Sequence, residues 1–72
     1  MPSPFAGPGV REALDSALVA LQAAGVESPR LDAEVLLSSV MGMSRAALLA
    51  DSRLSLSGPQ ARAFMGAVRR RR

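Results

Sequence analysis

Eight residue types are missing from this 72-residue chain: Cys, His, Lys, Asn, Thr, Ile, Tyr and Trp. Without Cys and His there is no disulfide frame, no zinc finger, no thiol nucleophile and no imidazole base. Aromatic residues are nearly absent too, with Phe5 and Phe64 alone, so bases have no row of rings to stack on. No apolar run approaches the roughly 20 residues needed to span a bilayer. Met1–Gly9 lacks the charged and apolar regions of a secretory signal. The chain therefore reads as cytoplasmic, with no membrane contact. What it has in abundance is small and aliphatic: 13 Ala, 10 Leu, 6 Val and 4 Met. That supply supports one thin core in a domain that buries only about 60–65% of its unfolded surface.

All nine positive charges are Arg, and four of them close the chain at Arg69, Arg70, Arg71 and Arg72. Residues 10–68 carry five Arg against six acids, or −1; the four terminal arginines bring the total to +3. The body is thus close to neutral and the tail is basic. Clustered Arg can neutralise phosphates, but four cations at a helix C-terminus also complement its dipole. With no interleaved aromatic, the second reading is preferred and direct nucleic-acid binding is not expected.

Residues 1–9, rich in Pro and Gly, read as a flexible leader, and residues 10–72 as one helical domain. Val10, Leu14, Ala17, Leu18 and Leu21 mark the stripe of a first helix ending at about Ala24, with Gly25 as its stop. A second helix opens at Ser28-Pro29, with Ser28 as candidate cap and Pro29 in the first turn. It carries an inward stripe of Ala33, Leu36, Leu37 and Val40. Leu31 and Val35 form a second apolar ridge on its other side, which predicts a central helix, or else a partner-facing one. Ser44 caps a short third helix whose Leu48 and Leu49 are expected to point inward. Leu54 and Leu56 should pin the following connection. Ser57-Gly58-Pro59-Gln60 has the form of a capping box, opening a fourth helix with the stripe Ala61, Phe64, Met65 and Val68. Met41 and Met65 are expected to fill gaps in the core. Strand patterns are absent. The fold class is all-α, a small bundle of four or so helices.

Nothing in this inventory makes or breaks a bond. Asp32 and Glu34 point about 200° apart on one helix and cannot pair as acid and base. The serines fall at helix starts, and no glycine follows a strand to cradle a phosphate. No catalytic, cofactor-binding or metal-binding residue is assigned.

One stretch is more specific than a helix start. Ala23-Ala24-Gly25-Val26-Glu27-Ser28-Pro29-Arg30-Leu31-Asp32-Ala33-Glu34-Val35-Leu36-Leu37 is followed by Met41-Gly42-Met43-Ser44-Arg45 and later by Leu56-Ser57-Gly58-Pro59-Gln60. Together these resemble the amino-terminal domain of the HemK-type methyltransferases over about residues 10–71. The one departure is Gly58 between Ser57 and Pro59, where the family more often has Pro directly after Ser. The resemblance implies a helical, substrate-side accessory domain of an enzyme that methylates the GGQ glutamine of peptide chain release factors. It also implies a longer parent chain, in which S-adenosylmethionine binds to a catalytic domain in cis through a Gly-rich loop and an Asn-Pro-Pro-Tyr motif. With no Asn and no Tyr, this chain holds no such motif. The candidate partner-binding residues are Arg30, Leu31, Asp32, Val35, Arg69 and Arg70. Two other readings remain open at this point: a free-standing helical adaptor using the Leu31–Val35 ridge, and a helix-turn-helix whose second helix would offer Arg45 to DNA.

Overall fold

The computed structural model describes residues 7–51 and 53–72. Phe5 and the rest of 1–6 lie outside the described residues. Among the described residues four helices follow one another: α1 (Val10–Ala23), α2 (Pro29–Met41), α3 (Arg45–Ala50) and α4 (Gly58–Arg71). This is the all-α bundle that the periodicity predicts. Helix α2 packs against the other three, and α1 also packs against α4.

The helix boundaries follow from local chemistry. α1 stops at Ala23, one residue before the predicted end. Gly25 then adopts φ +78, a left-handed turn that a side chain would strain. Gly42 ends α2 in the same way at φ +66. Ser44 caps α3 by accepting a hydrogen bond from the Ala47 N–H at 3.1 Å. In α4 the capping box is complete: Ser57 Oγ accepts from Gln60 N at 3.1 Å, and Gln60 Oε1 accepts from Ser57 N at 2.9 Å. Ser28 departs from expectation. Its backbone, at φ −128 and ψ 69, is not in the extended form of the other two caps, and its hydroxyl makes no cap bond.

The core contains Val10, Ala13, Ala17, Leu21, Ala33, Leu37, Leu48, Leu56, Phe64 and Val68. Leu21, Leu37, Leu48 and Leu56 are its fully buried large side chains. Leu14, Leu36, Val40 and Ala61 pack partly buried around them, as the stripes predict, and so do the gap-filling Met41 and the connection's Leu54. Leu49 and Met65 do not join: both are exposed. Successive residues on a helix point about 100° apart, so the six-residue α3 buries Leu48 and turns Leu49 outward. Met65 follows the buried Phe64 and is rotated past the edge of the stripe in the same way.

Residues 7–9 run beside the α3–α4 connection. Leu56 N donates to Pro8 O at 2.9 Å and Val10 N to Leu54 O at 3.0 Å, with an isolated antiparallel bridge between Gly9 and Ser55. The approach is so close at Gly7 that a Cβ there would collide with the Leu56 carbonyl. These bonds set the start of α1 beside the start of α4.

Candidate partner-binding surface

Helix α2 directs four kinds of residue to four directions, and the candidate surface is what remains after three are used. Ala33 and Leu37 face the core. Glu34 turns toward α3 and is buried, its side chain only 7% exposed. A carboxylate in such a place needs partners, because burying an unpaired charge is costly. Arg45, the first residue of α3, supplies them: its Nη2 and Nε donate to Glu34 Oε1 at 2.9 and 3.3 Å. Arg30 approaches the other oxygen at a looser 3.9 Å. Ser38, one turn on, is buried as well and donates to the Glu34 carbonyl at 2.7 Å.

Asp32 turns toward α4. Its Oδ2 accepts from Arg71 Nε at 3.1 Å and lies 3.0 Å from Nη2, so the guanidinium fork closes on one oxygen and ties the first turn of α2 to the last turn of α4. The fourth direction is solvent, and Leu31 and Val35 occupy it. Both are exposed. The two-sided apolar pattern thus marks a helix that is central to the bundle but leaves one ridge uncovered.

The predicted site residues fall into three groups. Leu31 and Val35 form one exposed ridge. Arg30 and Asp32 flank it and are both engaged in ion pairs. Arg69 and Arg70 are exposed on α4, and the Asp32–Arg71 fork brings that end of α4 to the start of the ridge. Arg71 is thus the arginine that reaches the ridge, whereas Arg69 lines the space between α1 and α4 on the other side of the helix. Sequence reasoning missed the Glu34–Arg45 pair. The signal was available, since Glu34 faces neither the predicted stripe nor the predicted ridge, but its partner lies 11 residues away across a turn.

Arg45 is also the side chain on which a helix-turn-helix reading depends, and its guanidinium is held by Glu34. The glycines with positive φ, Gly25 and Gly42, end helices and have open space around them. Neither follows a strand. No helix of the described residues is long and apolar enough to cross a membrane.

No curated protein and no solved structure matches the chain. The sequence pattern of one family, described as the PrmC N-terminal domain, matches residues 12–72. That span includes α2, the Glu34–Arg45 pair, the Ser57–Gln60 box and the Asp32–Arg71 fork. The chain belongs to this family, the helical amino-terminal domain of the PrmC/HemK release factor glutamine methyltransferases.

Proposed function

We propose that this domain receives a peptide chain release factor and helps present its GGQ glutamine to a catalytic domain in cis, in the cytoplasm. S-adenosylmethionine belongs to that catalytic domain, and no step of methyl transfer runs through the residues described here. The observation that carries the reading is the uncovered Leu31–Val35 ridge on a helix that packs against the other three. An apolar pair left in solvent, rimmed by Arg30 and Arg71, suits a protein partner with an apolar centre and a polar edge. Arg69 and Arg70, at the basic end of α4, add a long-range positive potential that guides approach and weakens with salt.

Titrating a labelled release factor into the domain at two ionic strengths tests this. Val35→Asp should abolish binding at both, because a charge is placed in the apolar centre. Deleting Arg69–Arg72 should weaken binding and flatten its salt dependence without eliminating it. Binding untouched by Val35→Asp, or wholly lost with the arginines, would reject the ridge.

A further inference from the structure

On the far side of α4 from the Asp32–Arg71 fork, the packed helices α1 and α4 leave an open groove of about 480 Å³ along their seam. Its floor is apolar: Ala13 and Ala17 from α1, Phe64 and Val68 from α4. Met65 stands on its wall and is 61% exposed. The two ends of the groove differ in charge. Glu12 lies at the end where α1 and α4 both begin, which the Val10–Leu54 hydrogen bond fixes. Arg69 and Arg72 lie at the end where α4 finishes. Among the described residues, none of these three charges pairs with another group of the chain, whereas Arg71 is turned the other way to Asp32.

We infer that this groove is a self-complementary interface, occupied by α4 of a second copy of the chain in a twofold dimer. An isologous contact places each patch against itself in reverse. With the two α4 helices antiparallel and crossing near Met65, each Met65 enters the groove of the other copy. Arg69 and Arg72 stand roughly 6 and 10 Å along the helix from Met65 at a rise of ~1.5 Å per residue. Reversal carries them toward the Glu12 end of the opposite groove. The same reversal keeps the two arginine clusters at opposite ends of the interface, where they repel least. A parallel arrangement would set Arg against Arg and leave Glu12 alone, so the charges select the antiparallel register. The apolar floor and the adaptable thioether provide the attraction, and the rim charges fix the orientation.

Sedimentation equilibrium on the whole chain, from micromolar to millimolar concentration, tests the inference. The mass should rise with concentration from 7.5 kDa to twice that value. Met65→Asp should stay at the monomer mass while its circular dichroism matches wild type, since the residue is exposed. Glu12→Arg should weaken the dimer severalfold, and Arg69→Glu combined with Arg72→Glu in that background should restore it. A single monomer mass up to millimolar concentration would overturn the inference. So would a dimer that persists in Met65→Asp, a dimer unaffected by Glu12→Arg, or one lost instead in Leu31→Asp.

Discussion

Asp32 and Glu34 sit two residues apart on the same helix, and each grips an arginine from a distant part of the chain. The geometries are nearly matched, at 3.0 Å for Arg71 and 2.9 Å for Arg45. The surroundings are not. The Glu34 side chain is 7% exposed and its arginine 49%; for the Asp32 pair the values are 21% and 53%. The more an ion pair is open to water the less it is worth, because solvent and salt screen it and two long side chains must be held still. A buried carboxylate is different in kind: losing its partner leaves a charge out of water with nothing to balance it. Two similar contacts thus do different work. The inner one seats α3 on α2, and the outer one places the end of α4 beside the ridge at little cost to stability.

The largest effect should come from the apolar face that lies between these two directions. Leu37 has no exposed surface, so Leu37→Ala should lose ~2–5 kcal/mol in thermal or denaturant unfolding. In a domain of this size that approaches the whole stability. A loss under about 1 kcal/mol would mean that α2 is not the centre of the bundle. Next is Arg45→Ala, which strands Glu34 with only the distant Arg30 guanidinium; the expected loss is about 1–3 kcal/mol. Replacing Glu34 by Leu in that background should recover part of it, since removing both partners leaves no orphaned charge. No recovery would show that Arg45 stabilises through its stem and not through its charge. The smallest effect is predicted for Asp32→Asn, within about 1 kcal/mol at low salt and fading as salt rises. If Asp32→Asn cost more than Arg45→Ala, burial would not be what separates the two pairs.

How much of this was legible in the sequence follows the range of each interaction. The Ser57–Gln60 box and the Ser44 cap close within three residues, and local chemistry alone predicts them. The glycine stops at Gly25 and Gly42 are equally local. The inward stripes of α1, α2 and α4 are set by helical period, which is why Leu21, Leu37, Phe64 and Val68 fall where the spacing puts them. Period does not say how wide the buried face is. It therefore placed Leu49 and Met65 inside, when the short α3 and the open α1–α4 groove leave both at the surface. Ser28 has the right identity for a cap, but the turn from Gly25 delivers it with the wrong backbone angles. The two ion pairs span 11 and 39 residues, and no periodicity couples positions so far apart. For the candidate surface, the ridge was readable as residues 31 and 35. Its junction with the arginine end of α4 was not, because that junction depends on the Asp32–Arg71 fork.

In the function proposed above, the family's motif builds the fold inward through Glu34 and Arg45 and leaves Leu31 and Val35 outward for a partner. Amide chemical shifts of the isotopically labelled domain, recorded as release factor is added, test that division residue by residue. The predicted result is a cluster of shifts at Leu31, Val35 and Arg71, with Glu34, Arg45 and the Ala13–Ala17 side of α1 unmoved. Shifts centred on the Glu34–Arg45 seam or on the α1–α4 groove, or no shifts at millimolar release factor, would contradict it.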